Sequence, residues 1–311
     1  MEVLVFALAK VCPIFFMIII GLILKQTRII GETFVKESSN IVFKVAMPVM
    51  IFQKMSQIET IPSALYQGII IFAVVTTLIV IFSWIFSYQL EGPKRSTFVQ
   101  GAFRSNIAII GFAVTEKSFG YEALQVGAVL LAVIMPLYNL FAIILLSRGS
   151  SDESQNIFKE VAIKVVKNPL IWGVILGLPI GIFHISIPMF AFDTMSYLSQ
   201  LTLPLALIGI GASLELKDLD SSKVIWMGAS AIKLIVLPAV VLGVSWRFGI
   251  RGVVLASMVI TAGSPTAVAS FVMARTMGGD GKIAGEIVSF TTLFSIVTFT
   301  FWISILRVLG S

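Results

Sequence analysis

Apolar residues along this chain fall into blocks of about twenty, enough at 1.5 Å per residue to cross ~30 Å of hydrocarbon, with short polar connections between them. Ten such blocks can be read, at residues 3–24, 38–56, 63–88, 97–115, 121–147, 168–184, 193–214, 222–246, 251–276 and 283–308. The second and seventh are more polar than the rest and are interrupted at Pro48 and Pro204. The pattern predicts an all-α polytopic membrane protein with ten transmembrane helices.

The ninth block cannot be an uninterrupted helix. Thr261-Ala-Gly-Ser-Pro-Thr-Ala-Val-Ala-Ser270 lies inside an apolar run. Pro265 has no N–H to bond back to Thr261, Gly263 adds backbone freedom, and Ser264 and Thr266 can bond the freed backbone groups. An unpaired backbone group in hydrocarbon costs several kcal/mol, so such a break needs protein or a water-filled cavity around it. The expectation is a broken helix at a substrate site.

Composition agrees with the blocks: 58% of the 311 residues are hydrophobic, 12% are charged and mean hydropathy is +1.02. The net charge of +6 would suit nucleic acid if it were clustered. It is instead split by side. The odd-numbered connections hold thirteen Lys and Arg (Lys25, Arg28, Lys36, Lys94, Arg95, Arg148, Lys159, Lys164, Lys167, Lys217, Lys223, Arg275, Lys282), and the other side holds five (Lys54, Lys117, Arg247, Arg251, Arg307). The positive-inside bias predicts a plasma-membrane protein with both termini outside and the 148–167 connection in the cytoplasm. No nucleic-acid partner is implied. The first block has no basic leader and is longer than a signal core, so it reads as a retained span. Cys12, the single cysteine, reads as a small core residue.

Proline and glycine suggest an internal repeat. Pro13, Gly21 and Pro48 recur as Pro169, Gly177 and Pro204 at a constant offset of 156 residues. Five spans per half is odd, so the halves would enter the membrane from opposite sides, the inverted arrangement of many secondary transporters. This divides the chain into 1–147, the 148–167 connection and 168–311. The same offset carries 261–265 onto 105–109, within the polar stretch Phe103-Arg-Ser-Asn-Ile-Ala-Ile-Ile-Gly111 of the fourth span.

Several motifs together resemble the auxin efflux carrier family: Asn40-Ile-Val-Phe-Lys-Val-Ala-Met-Pro48, Phe103-Arg-Ser-Asn106 with Gly111-Phe112, Pro136-Leu-Tyr-Asn139, Leu203 through Ser213, Ser264-Pro265 and Thr291-Thr-Leu-Phe-Ser295. The resemblance covers nearly the whole chain and is closest to bacterial members. It implies two inverted five-helix repeats whose fourth and ninth helices are broken and cross. It also implies transport of an organic anion, a dicarboxylate or an indole-type carboxylate, and a homodimer. Where the family often has Gly-Leu-Pro, this chain has Gly111-Phe112-Ala113, leaving the fourth break to Ser105, Asn106 and Gly111.

The candidate substrate-binding residues are Arg104, Ser105, Asn106, Gly263, Ser264, Pro265 and Thr266. Arginine within a span is costly and usually faces protein or water, and its planar fork suits a carboxylate. Arg104 is also close enough to a span end to reach the headgroups. Asn106, Ser264 and Thr266 could bind substrate or simply satisfy the crossing. Lys233 and Asn139 are further cavity candidates. Lys44 reads as an interfacial lysine, and His184, the single histidine, as an interfacial residue. The acids lie in connections or near span ends, Glu286 being the deepest, so no midplane carboxylate pair is evident. No zinc, phosphate-loop or Ser-His-Asp signature is present, which argues against an enzyme and against a resident cofactor or metal. Proton or sodium coupling stays open. The alternatives are a membrane receptor without transport and a sodium-coupled carrier resembling the bile acid family.

Overall fold

The structure, a computed structural model, describes residues 2–58, 60, 62–147, 157–214 and 223–310. Within them the chain is helical: α1 (Glu2–Gln26), α2 (Glu32–Ile41), α3 (Met47–Met55), α4 (Ser63–Phe86), α5 (Gly92–Phe103), α6 (Phe112–Ser147), α7 (Ile157–Val166), α8 (Pro169–Ile182), α9 (Met189–Ser213), α10 (Lys223–Ala231), α11 (Leu237–Arg247), α12 (Gly252–Gly263), α13 (Val268–Thr276) and α14 (Gly281–Val308). Three π-helical turns, Val42–Ala46, Ile107–Gly111 and Ile232–Val236, join α2 to α3, precede α6 and join α10 to α11. The protein is an all-α polytopic membrane protein.

Among the described residues, six segments are long and apolar enough to cross a membrane: Glu2–Gln26, Ser63–Phe86, Ile107–Leu146, Met189–Ser213, Lys223–Arg247 and Gly281–Val308. The other expected spans are those that are polar, broken or short. The second is α2 and α3 around a π turn, the fourth and ninth are split, and the sixth is the 14-residue α8. Two of the π turns end at a proline one residue into the next helix, Pro48 and Pro238. A proline ring collides with the carbonyl four residues back, and the wider π turn makes room for it while the helix continues. Between the fourth and fifth spans the chain turns at Gly120, whose φ of 82° belongs to the left-handed region that a side chain disfavours.

Helix ends follow local chemistry. Asn168 accepts from the Leu170 N–H with Pro169 in the first turn of α8, and Asp280 accepts from the Ile283 N–H at the start of α14. The helix α7 was not anticipated in the 148–167 connection. It packs on α6, and residues 148–156 of that connection lie outside the described residues.

The first span packs on the seventh and the second on the sixth, each through glycine. A side chain on Gly21 or Gly211 would collide with the backbone of Ile208 or Ile18, and a Cβ on Gly177 would lie 2.6 Å from the Phe52 carbonyl. Backbones this close gain dispersion and lose no side-chain entropy, a common basis of helix association in lipid. Spans three to five and eight to ten form the other layer, α12 packing on α6 and α5 on α14.

Candidate functional site

Both breaks are sharp. The helix α5 ends at Phe103, and Arg104 takes extended backbone (φ −80°, ψ 97°) before the π turn starts after Asn106. The helix α12 ends at Gly263, and Ser264 and Ala267 are likewise extended before α13. The extended segments cross and pair antiparallel, Ser105 opposite Thr266. Asn106 N–H donates to the Pro265 carbonyl at 2.7 Å and Ala267 N–H to the Arg104 carbonyl at 3.0 Å. Each segment therefore satisfies backbone groups that the other has lost. The fourth span breaks without a proline because a partner strand takes over that role.

The expected equivalence of 261–265 with 105–109 does not hold. The offset of 156 holds through the first two spans of each half, but α5 and α12, both 12 residues long, start and end 160 apart, at Gly92 and Gly252, Phe103 and Gly263. Ser105 and Asn106 thus correspond to Pro265 and Thr266, not to Thr261 and Ala262. A four-residue length difference between the halves, ahead of α10, is invisible to an alignment built on prolines of the earlier spans.

A cavity of about 610 Å³ runs from the connection between the first two spans, at Lys25, Glu32 and Lys36, to the crossing. Its inner end is lined by Arg104, Ser105 and Asn106, by Ile107, Ala108 and Ile109, and by Ala267, Val268 and Ala269. The last two groups form the first turns of the half-helices that follow the breaks. First-turn N–H groups have no partner within their own helix and carry about half a positive charge. The walls are apolar, with Phe43, Leu131, Met135, Ile210 and Phe271 among them.

Arg104 is 5% exposed and does not reach the headgroups. Its guanidinium donates to the Tyr138 carbonyl at 3.2 Å and to Asn139 Oδ1 at 2.9 Å, and no carboxylate pairs with it among the described residues. Tyr138 reaches back to the break, its hydroxyl 3.3 Å from Ser105 Oγ. Two N–H groups of five are thus spent on neutral acceptors, which fixes the fork and leaves its charge uncompensated.

The remaining candidates separate from this group. Ser264 donates to the Ile260 carbonyl at 2.8 Å, and Thr266 donates to the Gly101 carbonyl at 2.7 Å while its N–H is bonded by Thr291 Oγ1 at 3.1 Å. Neither lines the cavity, nor do Gly263 and Pro265. Asn139 lies behind Arg104 as its acceptor. Lys233 is fully buried, its Nζ donating to the Ala262 carbonyl at the end of α12, away from the cavity. Glu286 is also buried, one turn into α14. Sequence reasoning passed over Tyr138, Ile107–Ile109 and Ala267–Ala269. The signal for the latter two groups was position, because a half-helix presents whichever residues directly follow its break.

This combination, two interrupted spans crossing beside a cavity inside a helical membrane protein, is that of a membrane transport protein. Residues 6–303 match the family model described as "Membrane transport protein", the auxin efflux carrier family, and the chain belongs to it. A transporter of Methanothermobacter thermautotrophicus is 24% identical over 295 residues (94% of this chain, 96% of that protein). A transporter of Methanocaldococcus jannaschii is 27% identical over 301 residues (92% and 94%). Auxin efflux carrier component 2 of Oryza sativa subsp. japonica is 26% identical over 139 residues, 43% of this chain and 22% of its own length.

Proposed function

We propose that this transporter is a secondary carrier for a small organic anion, whose carboxylate binds Arg104 where the two broken spans cross. The observation that carries the proposal is a buried guanidinium with no carboxylate partner among the described residues, held by neutral acceptors at the inner end of a cavity. Leaving such a charge unpaired is costly, and an anion bound bidentately would offset that cost. The two half-helix N-termini add positive potential at the same place. Ser105 and Asn106 offer polar atoms beside it.

Among the described residues Arg104 is the single cation at the cavity's inner end, and with a mostly apolar wall this favours a monocarboxylate with an apolar body over a dicarboxylate. A second carboxylate would find Lys25 and Lys36 only at the mouth. Lys233 bears on coupling. Sodium-coupled carriers use the carbonyl end of a broken helix to hold the metal ion, and here the Lys233 side chain already donates to that carbonyl. This favours sodium-independent transport, and a proton remains the coupling ion to test.

Alternating access would come from two inverted repeats. Gly21 meets Ile208 and Gly177 meets Phe52, and each member of the first contact lies 156 residues from a member of the second. Exchange of the two halves therefore reproduces the packing. The layer of spans one, two, six and seven would serve as scaffold and the layer of the crossing as the moving part. With both termini outside, the cavity opens to the cytoplasm.

The test is uptake into proteoliposomes across a panel of indole-type, aliphatic and dicarboxylic acids, with a thermal-shift screen of the same panel on purified protein. Transport and stabilisation by apolar monocarboxylates, both lost in Arg104→Ala, are expected. Anion transport that survives Arg104→Ala undiminished would overturn the site, and binding without flux in any lipid would favour a receptor.

A further inference from the structure

Gly209 and Gly211 lie two residues apart in α9, both buried, and helix packing accounts for only one of them. A Cβ on Gly211 would collide with the backbone of Ile18, so that glycine is what lets the first and seventh spans touch. A Cβ on Gly209 would meet, apart from its own helix backbone, one heavy atom within 4 Å among the described residues, Ser39 Oγ at 3.8 Å, an ordinary contact. Nor does the backbone require glycine there, because Gly209 lies within a regular helix, where alanine is the more favourable residue. What surrounds Gly209 is the cavity, whose wall it shares with Ser39, Ala206 and Ile210.

The other half of the chain has the corresponding position filled. At the offset of 156 that relates the first two spans of each half, Gly209 corresponds to Gln53. Gln53 is 6% exposed and crosses from the second span to the seventh, its Nε2 donating to Ser196 Oγ at 2.6 Å and to the Phe192 carbonyl at 3.4 Å. Gly209 likewise faces the second span, at Ser39, and brings no side chain to cross to it. The two ends of this interface thus differ by a side chain: an amide fills the end beside Lys54, and the end beside the cavity mouth is open.

Depth puts Gly209 on the route to the crossing. It lies about one turn before the end of α9 at Ser213, and Ser39 lies about one turn beyond Lys36 at the mouth. The crossing segments close the inner end of the cavity, so an anion held at Arg104 extends its body toward the mouth, along this wall. We infer that Gly209 sets the width of the body that the carrier accepts. The missing side chain is room for a ring or a branch, and any side chain placed there narrows the passage. The inference rests on the reading of Arg104 as the carboxylate site. A glycine serving helix bending or the sliding of one layer past the other would act on every substrate alike, whereas one that makes room discriminates by size.

The test grades this one position in the full chain: Gly209→Ala, Gly209→Leu and Gly209→Gln, the last copying the residue of the other half. Affinities of the purified proteins for hexanoate, a straight chain, and for 2-naphthylacetate, a ring body, are compared. Gly209→Leu should shift their ratio about tenfold toward hexanoate, since overpacking penalises the wider body first. Gly209→Ala should shift it the same way by less while holding or raising the melting temperature, and Gly209→Gln should weaken both acids. A second arm needs no ligand. With Cys12→Ser as background, Ala108→Cys at the inner end of the cavity is labelled by a small and by a bulky methanethiosulfonate. Gly209→Leu should slow the bulky reagent about tenfold more than the small one, by the same overpacking. An unchanged acid ratio, an unchanged labelling ratio, or a lower melting temperature in Gly209→Ala would overturn the inference. If neither acid binds the wild type, or Arg104→Ala leaves both affinities intact, the carboxylate site is lost instead and the labelling ratio decides the role of Gly209.

Discussion

Arg104 in the broken fourth span donates to Asn139 Oδ1 in the fifth at 2.9 Å, so the one cation at the inner end of the cavity is aimed by an amide that never touches the cavity itself. Hydrogen bonds to charged groups contribute ~1.5–3 kcal/mol. Asn139→Leu should therefore weaken anion binding on the order of tenfold to a hundredfold, chiefly by freeing the fork, with the fold intact. Arg104→Ala should abolish binding, and Arg104→Lys should recover only part of it because a point charge cannot bind bidentately. Equilibrium binding isotherms of the three variants check the order, and an Asn139→Leu isotherm matching the wild type would remove the amide from the argument.

Gly111 and Ser264 test whether the hydroxyl at the ninth break is structural. A Cβ on Gly111 would lie 2.8 Å from Ser264 Oγ, and that oxygen is engaged with the Ile260 carbonyl. Gly111→Ala should cost about 1–3 kcal/mol of stability through overpacking. Adding Ser264→Ala should restore much of it, a coupling that separate sites would not show. Ser264→Ala alone should leave anion affinity unchanged. Thermal unfolding and binding on the four proteins of the cycle would measure both points.

Much of this architecture was legible because hydrocarbon is a strict solvent. Apolar blocks must be helices, and a Gly-Ser-Pro run inside one must be a break with a reason. Arg104, Ser105 and Asn106 announced themselves the same way, as polar residues where polar residues are costly. Ser264 and Thr266 carried an equal signal and serve the backbone instead, since a hydroxyl's direction depends on where the crossing strand lies and composition holds no record of that. Lys233 and Lys44 show the same limit. One sequence signal, a lysine in a span, ends on a buried carbonyl in one case and on the outer face in the other. The register of the halves was readable at 156 and lost at 160, because the extra residues fall in a connection without punctuation.

Lys233 makes a prediction about ions. Its side-chain nitrogen donates to the Ala262 carbonyl at the end of α12, a position that would otherwise draw a cation. Replacing sodium by choline on both sides of the membrane should leave wild-type flux unchanged. Lys233→Met should abolish flux and lower the melting temperature, because the Ala262 carbonyl and the helix end lose their partner, a penalty of ~1–3 kcal/mol. Flux that requires sodium in the wild type would return the chain to the sodium-coupled reading.

The side opposite the cavity mouth is closed by a contact that a carrier would have to break in each cycle. Lys54, at the end of α3 in the layer of spans one, two, six and seven, pairs with Glu116 at 3.1 Å and lies 4.4 Å from the Tyr121 ring centre. The Lys54 carbonyl accepts from Gln125 Nε2 at 2.8 Å and lies 3.0 Å from the Tyr121 hydroxyl, which also rests against Gln57. Glu116, Tyr121 and Gln125 flank the Gly120 turn of the crossing layer, so the network joins the two layers only where the cavity is shut. The ion pair is partly exposed and worth up to ~1 kcal/mol, and the neutral bonds add a similar amount each. Glu116→Gln with Tyr121→Phe should therefore shift the balance toward the opposite-facing state by roughly tenfold. With Cys12→Ser as background, Ser39→Cys reports from inside the cavity. In the double variant its alkylation by an impermeant maleimide from the mouth side should fall, and anion exchange should change in rate without a change in substrate preference. Unaltered labelling alongside intact transport would show that the network is only a structural bond and that the closed side is held elsewhere.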